Sequence, residues 1–253
     1  MTPADAPLKA RSGREFILGF EEVMDALMET SVQCNRFWTA IRESPETVPR
    51  PVYFGMCLEN FHILAREPLF DGPVLAFSGN HAVRTTLNRF YAEELGHDKL
   101  LLSSLAALGL TEDEVRHSIP LPTTWALIDG LAYWSRFEPL FFAATLGILE
   151  GREVAEDAFV GAARRRQLSK GFVDPMMAHA RINAVGRHGE LSREVFGAIE
   201  VVTAAEQARL RELLPLFVAL YDDFYTGIWH HYAAMDDGER PLPGFLRQLE
   251  VLA

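Results

Sequence analysis

Hydrophobic residues recur along most of the chain at spacings of three and four, which places them on one face of an α-helix. In the first such segment, from Arg14 to about Ile41, the predicted buried face consists of Phe16, Phe20, Val23, Met24 and Leu27. In the next segment, residues 52–66, the predicted face consists of Phe54, Leu58, Phe61 and Ala65. No segment shows the sustained alternation that is typical of a strand. The pattern therefore predicts an all-α protein.

Proline, glycine and capping residues set the expected helix boundaries. Asp71-Gly72-Pro73 is predicted to form a turn. Thr111 and Glu114 form a predicted capping box for a short helix. A break is expected at Pro175 and a kink at Pro215. The remaining helices are predicted over about 73–96 with helical character to 110, 123–149, 153–187 and 192–235.

The size and composition suit one globular domain. The chain has 253 residues, and 49% of them are hydrophobic, so a single core can form without disulfides. We therefore assign residues 1–253 to one bundle of about seven helices, within which residues 1–12 form a flexible N-terminus. Bundles of this kind build their functional sites from side chains that project inward from facing helices.

Charge and cysteine content argue against several functional classes. The net charge of −11 disfavours nucleic-acid binding, which needs a basic surface. The longest apolar segment, residues 125–149, is interrupted by Asp129, Arg136 and Glu138, so we expect no membrane association. The N-terminal segment lacks the apolar stretch of a signal peptide. Two cysteines without a CxxC spacing form no disulfide framework, so a cytoplasmic location is expected.

The clearest candidate site is the segment Glu94-Leu95-Gly96-His97. Glu and His three residues apart on a helix share one face and can bind the same metal ion. Carboxylate and imidazole ligands together suit non-haem iron or manganese. Glu93 lies four residues before His97 and is either a substitute ligand or a substrate-pocket residue. Such pairs also arise by chance, so an exposed, hydrogen-bonded Glu–His pair is the alternative for this motif alone.

Glu138 is the second candidate, because it lies in the most hydrophobic segment of the chain. A buried carboxylate without a partner costs several kcal/mol, so it must be protonated, ion-paired or bound to a metal. We interpret Glu138 as a metal ligand. The alternative is a buried ion pair with an arginine of another helix, such as Arg84 or Arg181.

Other histidines add to these candidates. His179 shares a largely apolar helix face with Asn183, and His188 follows at the end of the same helix. A lone histidine on such a face is more often a core residue than a ligand. A second Glu–His pair at the same spacing, Glu59 and His62, is assigned to a substrate pocket or to the surface.

The segment NRFYAEELGHDKLLLSSLAALGL, residues 88–110, resembles the third-helix region of the haem-oxygenase-like proteins. This superfamily includes thiaminase II, pyrroloquinoline-quinone synthase and di-iron oxidases such as the alkene-forming fatty-acid decarboxylase. The pattern is most similar to that of the di-iron oxidases. The order also agrees, since a Glu–His pair is followed by a glutamate before proline and then by a His-rich helix. The resemblance covers most of the chain in helix order, and its specific motifs are short.

The resemblance implies a ligand set. Glu94 and His97 match the glutamate and histidine of the third helix, and Glu138 matches the glutamate that bridges the metal ions. The implied cofactor is Fe(II), with dioxygen as co-substrate.

The later helix of the family carries the pattern His-x3-Asp-x2-His, and this chain departs from it. His179 matches the first histidine, but Asn183 stands at the aspartate position and Gly186 at the second histidine position. His188 comes two residues late. Because a neutral amide is a weaker ligand than a carboxylate, the resemblance implies either one iron or two.

The resemblance implies a non-haem iron oxidase or oxygenase that acts on a small amine- or carboxylate-bearing metabolite in biosynthesis. N-oxygenation, desaturation and C–C cleavage are all compatible with it, as is an external electron donor. A homodimer is expected because two-fold dimers are the commonest oligomers. Two alternatives stay open: a metal-free member of the same fold, either quinone-synthase-like or thiaminase-like, and a non-enzymatic helical ligand-binding protein. Convergence of the predicted ligands favours the oxidase, whereas an apolar pocket without convergent polar groups favours the binding protein.

Overall fold

The structure is a computed structural model that describes residues 9–76, 81–150, 158–238 and 240–241. Over these residues the protein is all-α, as predicted, and has no strand beyond an isolated bridge between Arg11 and Val202. Short 3-10 helices lie at Pro45–Thr47 and His188–Glu190. The α-helices, numbered in chain order, are α1 (Gly13–Cys34), α2 (Arg36–Glu43), α3 (Arg50–Leu64), α4 (Pro68–Leu75), α5 (His81–Glu94), α6 (His97–Ala106), α7 (Glu112–His117), α8 (Pro122–Phe137), α9 (Pro139–Leu149), α10 (Ala158–Arg165), α11 (Lys170–Gly186), α12 (Leu191–Gly197) and α13 (Ala204–Tyr232).

Several predicted long helices are divided by a residue that leaves the helical conformation. Asn35 is extended, with ψ 125°, and its side chain accepts a hydrogen bond from the backbone N–H of Phe37, so α1 ends there and α2 begins. Glu138 has φ −134° and ψ 52° and precedes Pro139, the first residue of α9. A residue before proline is disfavoured in the helical region. The predicted helix over 123–149 is therefore two helices that meet at Glu138.

Two predicted interruptions are continuous helix instead. The expected turn at Asp71-Gly72-Pro73 lies inside α4, and the expected break at Pro175 lies inside α11. Each proline removes one backbone hydrogen bond, but both helices bury an apolar face on either side of it. The buried residues are Phe70 and Val74 in α4, and Phe172, Val173 and Met176 in α11. The predicted capping box before α7 is present as expected.

The N-terminal residues that the structure describes are tied to the bundle. Arg11 exchanges backbone hydrogen bonds with Val202, and Ser12 caps α1 through Glu15. Residues 1–8 of the predicted flexible N-terminus lie outside the described part of the chain.

The packing of the helices brings five elements to one place. α6 packs between α3 and α11, while α9 packs against α8, α12 and the 3-10 helix at His188–Glu190. The junction of α5 and α6 thus faces α11, the end of α9 and that 3-10 helix. No helix in the described ranges is both long and apolar enough to cross a membrane.

Candidate metal centre

Glu94 and His97 lie on either side of a sharp turn, because Gly96 between them has φ 94°. Glycine adopts this left-handed conformation readily, so α5 ends at Glu94 and α6 begins at His97. The two side chains still meet: His97 Nδ1 lies 2.5 Å from Glu94 Oε2. Both are buried, with 2% of Glu94 and 4% of His97 exposed.

Side chains from three other elements converge on this pair. The ring of His179 in α11 stands edge-to-face on His97, with ring centroids 4.9 Å apart. The 3-10 helix supplies His188, whose Nδ1 lies 2.9 Å from Glu94 Oε1 and 3.8 Å from Glu150 Oε2. Glu150 caps the C-terminus of α9.

The donor atoms form two overlapping triads, each of the size that fits around one metal ion. One triad is Glu94, His97 and His179, and the other is Glu94, Glu150 and His188; within each, the donor atoms lie within 4.8 Å of one another. Glu94 belongs to both triads. Its Oε2 faces His97 and its Oε1 faces His188, so its carboxylate would bridge two ions if each triad bound one.

The converging atoms lack hydrogen-bond partners of good geometry. They are both oxygens of Glu94, Nδ1 of His97, Nε2 of His179, Oδ1 of Asn183 and Nδ1 of His188. Leaving a buried polar atom unpartnered costs about 1–3 kcal/mol, so a cluster of them needs an explanation. Metal ions held in the two triads would partner the Glu94 and histidine atoms, and carboxylate with imidazole is a donor set that suits Fe(II). The residues therefore fit the metal that the resemblance implies.

The ionisation of the cluster is coupled. Burial alone raises the pKa of Glu94, but its close contacts with His188 and His97, and the charge on those rings, outweigh burial and hold the pKa at about 2. Burial lowers the pKa of His188, but Glu150, Glu94 and Glu93 raise it to about 10. Burial raises the pKa of Glu150. Without a metal, the site is therefore a buried ion pair centred on Glu94 and His188.

His179 and Asn183 lie on the α11 side of the cluster. Burial, followed by the influence of His97, lowers the pKa of His179 to about 4, so its imidazole is neutral and available as a ligand. Asn183 Nδ2 donates a hydrogen bond to Glu150 Oε2 at 3.1 Å. Asn183 thus contacts a candidate ligand and also presents its unpartnered oxygen.

Two carboxylates that the sequence pattern did not single out lie near the cluster. Glu67, immediately before α4, has its pKa raised to about 10 by burial and then by Asp71, Glu94 and Glu150. Asp71 is 4% exposed, its Oδ2 has no hydrogen-bond partner, and burial followed by Glu150 and Glu94 raises its pKa to about 8. A turn was expected in this segment, and a turn gives no reason to place the two on one face. Their spacing of four residues is the signal for a shared helix face.

Glu138, a predicted ligand, does not reach the cluster. Its Oε1 accepts hydrogen bonds from Arg209 Nε at 2.9 Å and Nη2 at 2.6 Å. The pair lines a cleft of about 560 Å³ that contains none of the cluster residues. Glu138 thus forms an ion pair, as in the alternative, but the pair is only part-buried and its partner is Arg209 rather than Arg84 or Arg181. Glu150 occupies the place at the cluster that was predicted for Glu138.

The remaining predicted pocket residues take two different positions. Glu59 and His62 are buried, each 1% exposed, in a hydrogen-bonded network away from the cluster. Glu93 is 40% exposed, and its Oε2 lies 2.9 Å from His188 Nε2, so it contacts the cluster from outside.

Comparison with known proteins bears on the fold. No protein-family model and no curated protein matches the chain. A crystal structure of a domain of unknown function with a haem-oxygenase-like fold from Shewanella denitrificans OS217 is similar, with a TM-score of 0.68 and 18% identity over 85% of this chain and 92% of that one. A likeness at this level of identity shows the fold and not the activity. The chain therefore has the haem-oxygenase-like fold.

Proposed function

We propose that this protein is a non-haem iron oxidase or oxygenase with a two-iron centre bridged by Glu94. The observation that carries the proposal is the membership of Glu94 in both triads, with each carboxylate oxygen facing a different histidine. His97 and His179 complete the first iron position, and Glu150 and His188 complete the second. The late position of His188 thus does not remove it from the ligand set.

The charge of the site supports two divalent ions. Glu67, Asp71, Glu94 and Glu150 influence one another electrostatically. Apart from burial, every group that raises the pKa of Glu67 is another carboxylate. If all four were ionised, they would carry a charge of −4, which two divalent cations neutralise. Without cations, Glu67, Asp71 and Glu150 have raised pKa values and retain protons more readily, whereas the pKa of Glu94 is lowered by His188 and His97.

The chain's own residues hold and enclose the centre. Iron bound by carboxylates and imidazoles with open coordination positions supplies chemistry with dioxygen. Phe90 packs edge-to-face on His188, with centroids 5.2 Å apart, and shields that ligand from water. Asn183 holds Glu150 through its amide. The substrate proposed from the resemblance is a small amine- or carboxylate-bearing metabolite, with an external electron donor where the reaction requires one.

Metal stoichiometry tests the proposal most directly. Anaerobic titration of the metal-free protein with Fe(II) is expected to give two ions per chain for the wild type and one for Glu150→Ala, which lacks a ligand of the second triad only. Glu138→Ala is the matched control, because it removes a part-buried glutamate that pairs with Arg209, and it should still bind two ions. Equal iron content in the wild type and Glu150→Ala would contradict the assignment of Glu150 as an iron ligand.

Reaction with dioxygen tests the activity itself. The Fe(II)-loaded wild type is expected to consume dioxygen, and Glu150→Ala is expected to do so at least about 100-fold more slowly, because the centre is incomplete. A wild type that binds no iron but oxidises an organic substrate would support the metal-free alternative.

A further inference from the structure

We propose that Glu93 and Gly186 are positioning residues that make His188 a ligand of the second iron position. The inference rests on the proposed function and deepens it. It assigns roles to two residues outside both triads, the glutamate at position 93 and the glycine at position 186. It also explains how a histidine beyond the end of α11 reaches the centre.

Gly186 provides the space into which the His188 ring folds. A Cβ atom on Gly186 would lie 2.4 Å from His188 Nε2 and 2.6 Å from His188 Cδ2, closer than real atoms approach. Gly186 has no left-handed φ that would itself require glycine. Glycine at this position therefore makes room for the imidazole of His188 and is not required by the backbone conformation.

Arg187 turns the chain so that His188 can fold back. Its φ of 56° and ψ of 35° are left-handed and end α11. The next residue begins the 3-10 helix, and its ring occupies the volume next to residue 186. The imidazole thus reaches the centre from a position two residues later in the chain.

Glu93 fixes the orientation and tautomer of that ring. His188 Nε2 lies 2.9 Å from Glu93 Oε2, and we assign the proton of this contact to Nε2, because a carboxylate oxygen accepts hydrogen bonds. In the neutral imidazole the lone pair then lies on Nδ1, the atom that faces Glu94 and Glu150. A carboxylate that accepts from the far nitrogen of a metal-bound histidine orients the ring and strengthens it as a ligand.

Glu150, the other ligand of the second position, follows a helix that packs against the segment carrying His188. A Cβ on Gly147, three residues before Glu150, would lie 2.7 Å from the backbone oxygen of Gly189. The Ser192 hydroxyl accepts from the Gly147 N–H at 2.9 Å. The segment that carries His188 therefore packs directly on the helix that carries Glu150, and a correctly placed His188 completes a preformed position.

The proposal predicts an asymmetry between the two iron positions. Glu93 and Gly186 contact His188 but are in neither triad, so removing either should weaken the second position and leave that of His97 and His179 intact. Loss of a hydrogen-bond partner behind a ligand typically weakens metal binding about 10- to 100-fold.

The first test measures Fe(II) affinity in Glu93 variants with a competing chelator. Glu93→Ala should bind the first ion with unchanged affinity and the second about 10- to 100-fold more weakly. Glu93→Gln keeps an accepting oxygen and should recover part of the loss. Glu194→Ala is the matched control, because Glu194 has nearly the same exposure, 39% against 40%, and pairs with Arg89 but not with His188.

A spectroscopic measurement separates positioning from a general structural effect. In the Co(II)-loaded wild type, the Nε2 proton of His188 should give a hyperfine-shifted proton resonance that exchanges slowly with water. In Glu93→Ala it should exchange faster or disappear into the solvent, while the resonances of His97 and His179 keep their shifts.

The second test uses Gly186, where the expected result runs against simple helix propensity. Alanine in place of glycine normally favours a helix by about 1 kcal/mol, yet Gly186→Ala should lose the second ion because its methyl group displaces the imidazole. The double variant Gly186→His with His188→Ala places an imidazole in the vacated volume and should regain that ion. His188→Ala alone should not.

The outcomes separate this inference from the proposed function. A wild type that binds no iron overturns both. A wild type with two ions, together with Glu93→Ala and Gly186→Ala variants that also bind two with wild-type affinity, overturns this inference alone. A second ion that weakens in Glu93→Ala but not in Glu194→Ala, and that is lost in Gly186→Ala, supports it.

Discussion

The chain contains two Glu–His pairs with the same three-residue spacing, and they are built in opposite ways. In the pair Glu59 and His62, the carboxylate is saturated with protein donors. Its oxygens accept hydrogen bonds from the Leu121 N–H at 3.0 Å, the Thr124 hydroxyl at 2.6 Å and the Tyr232 hydroxyl at 2.7 Å. His62 is equally committed, because Arg66 donates to its Nδ1 at 3.0 Å and its Nε2 lies 2.9 Å from the Ser118 hydroxyl.

In the pair Glu94 and His97 the corresponding atoms are left open. The two oxygens of Glu94 and the Nδ1 of His97 all lack a hydrogen bond of good geometry. Both side chains are nonetheless buried, like those of the first pair. Further unpartnered donor atoms from His179 and His188 point to the same place. The polar atoms of one pair are therefore used within the fold, and those of the other pair remain available to a ligand.

The contrast shows what distinguishes a structural polar cluster from a candidate metal centre. Spacing does not distinguish them, since both pairs are three residues apart, and burial does not either. The difference lies in whether the donors and acceptors of the fold are used up among themselves. Variants of the two glutamates should consequently have opposite effects.

The largest effect is expected from Glu94→Gln. An amide cannot bridge two cations as a carboxylate does, and Glu94 is in both triads, so iron content should fall from two ions per chain to none and dioxygen consumption should cease. The apolar residues through which α5 packs are unchanged, so circular dichroism should still show a helical protein. Retention of one tightly bound ion would mean that one of the two iron positions does not depend on Glu94.

Glu59→Ala should do the reverse. It removes the acceptor of three buried donors, and at about 1–3 kcal/mol for each unsatisfied group the free energy of unfolding should fall by roughly 3–9 kcal/mol. Denaturant unfolding of the metal-free protein measures this loss. The folded variant should still bind two Fe(II) ions. Loss of iron with unchanged stability would mean that Glu59 and His62 serve a ligand and not the fold.

Much of the centre was predictable from the sequence because local spacing survives folding. Glu94 and His97 were selected as a helical pair, and they meet even though Gly96 breaks the helix between them. His179 and His188 were selected from an apolar helix face and from the resemblance. What spacing could not reveal is that the His188 ring folds back over Gly186, because this depends on the left-handed turn at Arg187.

The choice between Glu138 and Glu150 shows where sequence reasoning fails. Both flank the apolar helix α9, and a buried carboxylate was inferred from the apolar character of Glu138's neighbours. Pro139 starts a new helix and leaves Glu138 at its beginning, where Arg209 reaches it. Glu150 at the other end faces His188. Both glutamates suit the hydrophobic pattern, and only the packing of α9 decides which end meets the centre.

A smaller effect concerns pH, because two carboxylates beside the open cluster retain protons in the metal-free protein. In the metal-free protein, the pKa of Glu67 is raised to about 10 and that of Asp71 to about 8. An acid with a raised pKa in the folded state binds more protons there than in the unfolded state, so stability falls as pH rises above its unfolded pKa. The raised pKa of His188, about 10, acts in the same direction above pH 6.5.

The midpoint temperature of thermal unfolding of the metal-free protein should therefore decrease as the pH is raised from 6 to 9. The decrease should be about 2–4 °C for each kcal/mol of stability lost. The lowered pKa of Glu94 acts only in acid, below about pH 4.5, and does not oppose this trend. The double variant Glu67→Gln with Asp71→Asn should flatten the dependence. Saturating metal should also flatten it, because metal binding displaces protons and strengthens as pH rises. A metal-free protein that becomes more stable over this range would contradict the proposed proton storage.

The smallest effect is expected at Asn183, whose amide combines one atom that is hydrogen-bonded within the fold with one that is not. Its nitrogen is used by Glu150 at 3.1 Å, as in the saturated pair, while its oxygen is unpartnered, as in the open one. Asn183→Asp replaces the donor with a negative charge beside Glu150, which should destabilise the metal-free protein by about 1 kcal/mol. The same charge gives the second iron position a further anionic ligand and should raise its affinity for iron about tenfold, or roughly 1.4 kcal/mol.

Chelator competition measures this affinity. The control Asn183→Ala can neither donate a hydrogen bond nor bind iron, so it should weaken the affinity instead. Weaker iron binding in both variants would show that the amide matters only through Glu150.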